Sequence, residues 1–462
     1  MNIGVDQFTL PSAISKVDLK NKKQNRIMKF QPPKGTRDFL GEEMVLREFI
    51  LDTVKNIFQK YGFEPLDTPA FENFELLAGK SGEDVVKQIF QFKDKAGREL
   101  GLRFDLTVPL ARVVASNPQL PKPYKRYAIG PAWRYEEPQS GRMRQFYQAD
   151  IDICGSSSVE ADAECIACAV ECFKSLGFKK FAVRINNRKI LDGIMELVGV
   201  EKEKNMEIFR VIDKMDKIGE EGVRKELEGK ALSESQIKKL FDLISRKGDF
   251  LKTLGEGKKI LKGIGIAEEG IKELEEIFEL AKYYGISKFI ALDFSLARGL
   301  DYYTGPIFEL VEETEKLIGT LAAGGRYDNL IEQFGGAKTP ATGISLGIER
   351  IFQLMKERKI SSLEKLKIFV ANTDTEVKDE ALRIAQNLRN NNVTCQMDLM
   401  GRNLAKQLDY ADKCDFDYVV IVGKEEVKKK KFKLKDMKKR TEVTISLKQI
   451  IDFLASKACR KR

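Results

Sequence analysis

The chain of 462 residues contains no histidine. That absence removes imidazole acid–base catalysis, histidine-ligated metal sites and Ser-His-Asp nucleophiles together. Whatever reaction such a chain runs must rest on charge, on positioning or on groups the substrate brings. No apolar run reaches the roughly 20 residues that span a membrane, and the first residues lack the apolar core of a secretory leader. A cytoplasmic chain without a membrane partner is therefore expected. The cysteines are Cys154, Cys165, Cys168, Cys172, Cys395, Cys414 and Cys459, an odd and scattered set that suits a reducing compartment better than a disulfide scaffold. Cys165, Cys168 and Cys172 have a spacing that could suggest a metal. The same offsets mark one face of an amphipathic helix, and buried helical cysteine is the preferred reading. No metal site is expected from them.

What is present describes a globular chain too long for one core, so two or three domains are expected. Hydrophobic residues make up 42% and charged residues 32%; Lys plus Arg number 80 against 70 acids, a net charge of +10. That excess permits a nucleic-acid partner without requiring one. The most informative stretch is WRYEEPQSGRMRQFYQADIDICG, Trp133 to Gly155. Read as two strands and a charged loop, it puts Phe146, Gln148, Asp150 and Asp152 on one face and Tyr147, Ala149, Ile151 and Ile153 on the other. Arg134 and Glu136 share a face just upstream, and the loop adds Arg142 and Arg144. Guanidinium forks match phosphate oxygens, so this cluster suits a polyphosphate; an ordinary half-exposed hairpin stays open for the same residues.

Residues 1–27 are polar and without period, and a disordered extension is expected there, with Met28 opening the folded part. Val45, Phe49, Val54 and Phe58 recur at helical spacing. Pro65 and Pro69 interrupt a strand-like run and point to an edge or interface strand. A hairpin is expected around Lys95-Ala96-Gly97. The next strand sets Arg103, Asp105 and Thr107 opposite Leu102, Phe104, Leu106 and Val108, and Pro109 is expected to end it before a helix. FAVRINN (181–187) reads as a strand. From 188 to about 285 the pattern turns to charged helical repeats, an inserted helical module. Strands resume with KFIALDFSLARGLDYYTGPIFELV, and in LAAGGRYDNLIEQFGG a glycine-pair turn at Gly324 and Gly325, with Arg326 and Tyr327 beside it, precedes a helix and could admit a ligand to the backbone. ATGISLGIERIFQLMKER reads strand then helix, with Glu349 and Arg350 in the first turn, where an arginine calls for an acid or a bound anion. From about Leu366, strand and helix alternate over a small α/β unit. Within it, 421–440 carries ten basic residues against three acids; a solvated hairpin and a nucleic-acid contact are equally open.

Together these peptides resemble the class II aminoacyl-tRNA synthetases, and within them the histidyl-tRNA synthetases in their archaeal and eukaryotic form. FEPLDTPAFENFELLAGKSGE is similar to the first class motif, WRYEEPQSGRMRQFYQADIDICG to the second and GISLGIERI to the third. ARGLDYYTG and AAGGRYD resemble the two histidine-specific peptides. The resemblance implies an α+β fold: an antiparallel sheet flanked by helices, a helical insertion, and a C-terminal α/β anticodon-binding domain. The implied boundaries are a catalytic domain over 28–187 and 286–360, the insertion over 188–285, and the anticodon-binding domain over 366–462. It implies ligation of L-histidine to its tRNA through a histidyl-adenylate, with ATP as co-substrate, Mg²⁺ as cofactor, and a homodimer.

By the same resemblance Arg134 would hold the ATP α-phosphate and Arg142 the γ-phosphate. Phe146 would stack under adenine, with Arg350 over it, and Glu136 would also line the ATP site. Asp105, Thr107 and Gln148 would grip the amino group of histidine. Asp152 and Tyr303 would read its imidazole, with Tyr302 and Tyr327 lining the pocket. Arg298 would contact both the α-phosphate and the substrate carboxylate, which makes Arg298 and Arg134 the catalytic pair. Asp105, a shorter acid than the bacterial pattern has, must reach farther. The alternatives are a regulatory paralogue, which keeps the catalytic fold but lacks the anticodon-binding domain, and a tRNA-sensing module without activation. A dinucleotide oxidoreductase is disfavoured because no strand leads into G-x-G-x-x-G.

Overall fold

The computed structural model describes residues 30–79, 83–139, 141–230, 232–298, 302–312, 319–360 and 366–460. The expected extension over 1–27 and the start at Met28 lie outside the described residues, as do 299–301 of the first histidine-specific peptide. Up to residue 360 the strands are β1 (Glu64–Pro65), β2 (Phe71–Asn73), β3 (Gln91–Lys93), β4 (Glu99–Leu102), β5 (Tyr124–Trp133), β6 (Gln145–Cys154), β7 (Phe181–Asn187), β8 (Lys247–Asp249), β9 (Ile290–Asp293), β10 (Pro306–Glu312), β11 (Ala322–Arg326) and β12 (Ala341–Gly347). Among the described residues nine of them form one sheet in the order β1-β5-β6-β12-β11-β10-β7-β9-β8, and β2-β4-β3 form a smaller one. The large sheet is antiparallel except where β1 meets β5 and β7 meets β9. The proline-bearing β1 takes the sheet edge, where a missing N–H is tolerated.

Period-two alternation decides what each face does. Ala149, Ile151 and Ile153 of β6 point into the main apolar core, as do Val183 and Ile185 of β7. The helix Val159–Ser175 covers them, and its Cys165, Cys168 and Cys172 are all fully buried there. This is the core-cysteine reading of that motif; among the described residues no group of three or more His, Cys, Asp or Glu is placed to hold a metal. The helices Glu42–Lys60 and Ile348–Glu357 complete the layer through Ile50, Val54, Ile351 and Leu354.

Among the described residues of 188–285 there are six α-helices, from Arg188–Val198 to Gly265–Tyr283, and a short 3-10 helix, Lys202–Lys204. Their apolar faces, including Ile190, Leu191, Leu274 and Ile277, belong to the same continuous cluster as Val170 and Phe173. A strand not expected from sequence, β8, pairs with β9 and extends the main sheet.

Two local expectations are corrected. The strand expected to run through Val108 ends at Leu102, and the helix begins at Thr107, before Pro109 rather than after it. Pro109 sits in the first helical turn, where the N–H it lacks would have no helical partner. Gly324 and Gly325 lie within β11, not in a turn. A Cβ on Gly324 would collide with the Gly343 carbonyl and lie 2.7 Å from the Phe308 ring, so the pair admits a neighbouring strand.

The C-terminal unit has β13 (Ile368–Asn372), β14 (Cys395–Met397), β15 (Tyr418–Val422), β16 (Lys431–Asp436) and β17 (Thr441–Ser446), ordered β14-β13-β15-β16-β17. The first three strands are parallel and the last two join antiparallel. Along β13 the side chains alternate: Ile368 and Val370 pack under the helix Lys378–Asn390, while Phe369 and Ala371 pack with Ala411 and Phe416. Both clusters contain only residues from Leu366 onward. Among the described residues no helix is long and apolar enough to cross a membrane.

Candidate active site

The polar face of β6 lines a cavity of about 520 Å³. Strand spacing explains the layout: Phe146, Gln148, Asp150 and Asp152 follow one another along a single face. Beside them stand Asp105 and Thr107, at the entry to the helix Thr107–Ser116, and Arg134 and Glu136, just past β5. Arg142 comes from the β5–β6 loop, and Arg298 from the segment after β9. Tyr302, Tyr303 and Tyr327 close one wall, and Arg350 enters from the first turn of Ile348–Glu357. All thirteen residues to which the resemblance gives a role therefore border one cavity, whereas Arg144 of the same loop does not.

Its floor is carboxylate-rich. Asp152 receives a hydrogen bond from the Tyr327 hydroxyl and an ion pair at 2.7 Å from Arg126 Nη2. Arg126 has no exposed surface and also donates to the Leu106 carbonyl at 3.0 Å. Burial pushes the Asp152 carboxyl up, and Arg126 and Tyr327 oppose that shift. Asp105 is pushed up by burial as well, although its Oδ1 accepts from the Val108 N–H at 3.0 Å and Arg134 lies near. Gln148 donates to Ser345 Oγ at 2.7 Å, leaving its Oε1 unpartnered. Gly343 makes room for this floor: it pairs with Asp152 across β12 and β6, and a Cβ there would strike the carboxylate.

The remaining walls are cationic. Arg134 donates to the Phe104 carbonyl at 3.1 Å and its guanidinium lies 5.0 Å from the Phe146 ring centre. Arg142 is 3.6 Å from Glu136. Arg298 pairs with buried Glu309 at 2.5 Å and stands 3.7 Å from Asp213. Arg350 donates to the Thr320 carbonyl at 2.6 Å. Its pKa is lowered, first by burial and then by the fields of Arg142 and Arg298. Guanidiniums crowded around an open cavity repel one another until an anion enters.

Several neighbouring residues have no role assigned to them from the sequence. Glu349 accepts from Arg47 at 2.6 Å and from the Tyr147 N–H at 2.7 Å, locking the helix Glu42–Lys60 to β6. Arg126 faces Asp152 in the β5–β6 register; the signal for it was a lone charge on a strand face otherwise made of Tyr124, Ala128, Gly130 and Ala132. Asp150 was seen on the polar face of β6 but given no role. Arg326, beside the glycine pair, turns away from the cavity to bind Asp162 and the carbonyls of Ser156 and Ser158.

Comparison with known proteins gives a consistent answer. Residues 35–351 match the family model described as histidyl-tRNA synthetase, and 367–457 match the model of an anticodon binding domain. The histidine–tRNA ligase of Pyrococcus horikoshii is 40% identical over 422 residues, 91% of this chain and 97% of that protein. That of Aeropyrum pernix is 43% identical over 407 residues, 86% and 91% of the two chains. Among solved structures, the histidyl-tRNA synthetase of Nostoc sp. PCC 7120 superposes with a TM-score of 0.81 at 30% identity, covering 94% of this chain and all of that one. A Bacillus halodurans protein titled an ATP phosphoribosyltransferase regulatory subunit/histidyl-tRNA synthetase shares the fold, with a TM-score of 0.74 at 24% identity over 87% of this chain and all of that one.

Proposed function

The chain belongs to the histidyl-tRNA synthetase family and ligates histidine to its tRNA with ATP through a histidyl-adenylate; from that premise we propose how its own residues divide the work. Histidine binds on the carboxylate floor and ATP along the arginine walls. Arg134 takes the α-phosphate, Arg142 the γ-phosphate, and Phe146 and Arg350 enclose the adenine, while Glu136 lines the ATP site beside Arg142. Asp105, Thr107 and Gln148 hold the amino group. Asp152 accepts from an imidazole N–H and Tyr303 meets the other ring nitrogen, with Tyr302 and Tyr327 as walls. The observation that carries this reading is the single cavity joining an acid floor to the guanidiniums of Arg134, Arg142, Arg298 and Arg350.

The chemistry needs no histidine side chain. The substrate carboxylate is already the nucleophile, so activation needs in-line placement and neutralisation of charge at the α-phosphate. Arg298 touches both reacting groups, and its pairing with Glu309 fixes its height above the floor. Mg²⁺ fits the donor set, because one lining carboxylate plus substrate phosphates is a usual way to hold it; Glu136, beside Arg142 on the cavity wall, would supply that carboxylate. It would add charge neutralisation on the triphosphate. The polar floor rejects amino acids that leave Asp152 unpaired.

We further propose the division into a catalytic domain over 28–187 and 286–360, an insertion over 188–285 and an anticodon-binding domain over 366–462, with 421–440 as a basic surface for the anticodon arm. The homodimer and the cytoplasmic setting complete the proposal. The regulatory and tRNA-sensing alternatives find no support in the geometry: all four arginines border the cavity, and the anticodon-binding model matches 367–457. The test is histidine-dependent exchange of labelled pyrophosphate into ATP. Wild type should exchange, and Arg298→Ala should lose roughly 10²–10³-fold, the cost of one lost charge-stabilising donor. Tight tRNA binding without exchange in the wild type would replace the site assignments with a sensor.

A further inference from the structure

Asp150 is 2% exposed and borders the cavity, and neither carboxylate oxygen has a hydrogen-bond partner of good geometry, with the Ser345 hydroxyl, which accepts from Gln148, beside it. Its neighbours on the same face are differently placed. Asp152 is engaged by Tyr327 and Arg126, and Asp105 accepts from the backbone of its own helix. An unpaired buried carboxylate is costly, and a fold keeps one where a ligand supplies the partner. The required partner is a cation that donates hydrogen bonds, because an ionised carboxylate only accepts. Gln148 lies two residues before Asp150 on the strand and Asp152 two residues after. On the reading above, the first holds the amino group of histidine and the second its imidazole.

Resting on that reading, we infer that Asp150 receives the α-ammonium group of histidine and is a specificity-determining residue of the pocket. The ammonium has three N–H donors: Gln148 Oε1 and an open oxygen of Asp150 can accept two of them, and the third is left for the Asp105 and Thr107 side of the pocket. The contact neutralises the surplus of acid on the floor, where Arg126 is the buried cation, and it turns the substrate carboxylate toward the arginines. It also explains why a buried acid beside Asp152 is present at all: the site is complete only with the amino acid bound.

The test compares wild type, Asp150→Asn and Asp150→Ser, using L-histidine, L-histidinol (which keeps the ammonium and lacks the carboxylate) and deamino-histidine (which keeps the carboxylate and lacks the ammonium). Binding is read by calorimetry or by inhibition of pyrophosphate exchange. Histidine and histidinol should each weaken roughly 10- to 100-fold in both variants, the range for a lost charge-assisted hydrogen bond, while deamino-histidine binds the variants at least as well as wild type. Thermal unfolding of the ligand-free variants should rise, because a buried charge has been removed. Equal losses for all three ligands, no loss for any, or a fall in unfolding temperature would overturn the inference. If wild type itself binds no histidine, the pocket assignment fails and this contact fails with it; if wild type binds and the variants bind equally well, only this contact fails.

Discussion

Asp150 and Asp152 stand two residues apart on one strand, and their surroundings separate them. Burial pushes the Asp150 carboxyl up to about 7; Arg126 opposes that shift, Asp152 adds to it, Ser345 favours the charged form and Asp105 disfavours it. An unfolded aspartate titrates near about 3.9, so the folded value is the higher one. The sign follows: a carboxyl raised by folding favours the native state while protonated and loses that advantage as pH rises through its folded value. The unfolding temperature of ligand-free Asp150→Asn should therefore match wild type at about pH 4, exceed it increasingly towards about pH 7, and keep a constant lead above that. Arg126 behaves oppositely. Replacing it with methionine removes the cation beside Asp152 and should cost about 3–5 kcal/mol in denaturant unfolding at neutral pH. Asp152→Asn added to that variant should recover part of the loss, since the uncompensated charge is then gone.

At the scale of elements, the long strands and helices were legible because their periodicity is strong. β6 alternates without a break, FAVRINN is β7 to the residue, and the hairpin around Lys95 and Gly97 pairs β3 with β4. What the pattern hid was tertiary. Residues 103–106 alternate like a strand, yet the hydrogen bond from the Val108 N–H to Asp105 starts a helix there. β8 is three residues of Lys-Gly-Asp and becomes a strand only because the β9 edge is beside it. Gly324 and Gly325 suggested a turn because glycine is common in turns, whereas the close approach of β10, β11 and β12 requires them. Gly324→Ala should therefore destabilise by about 1–3 kcal/mol or more through overpacking, read as a lower midpoint in urea, with loss of histidine binding once β12 shifts. The cavity-lining residues were legible where family motifs carried them; Arg126 and Asp150 escaped because their importance lies in which partners burial leaves them.

At the scale of the molecule, the apolar clusters among the described residues divide by chain position: those of the first part draw their buried residues from Leu46 to Met355, while the C-terminal ones start at Leu366. A chain ending at residue 360 keeps every cavity residue and should retain histidine-dependent pyrophosphate exchange within about threefold of the full chain, while aminoacylation of tRNA falls by orders of magnitude. The remaining tRNA affinity should depend less steeply on salt, because the lysines of 421–440 have been removed with their phosphate contacts. The order of strands in the large sheet bears on how a ribosome can deliver this protein. β6 and β7 are adjacent in sequence, yet β12, β11 and β10 lie between them in the sheet, and all three leave the ribosome more than a hundred residues after β7. Until then the growing chain shows two unpaired strand edges, the kind of surface on which nascent chains go astray. Gly343 and Tyr327, which border Asp152, arrive only with those last strands. A peptide released early therefore owns the acid floor but not the pocket, and only a chain synthesised through β12 and Arg350 can withdraw histidine from the pool it serves.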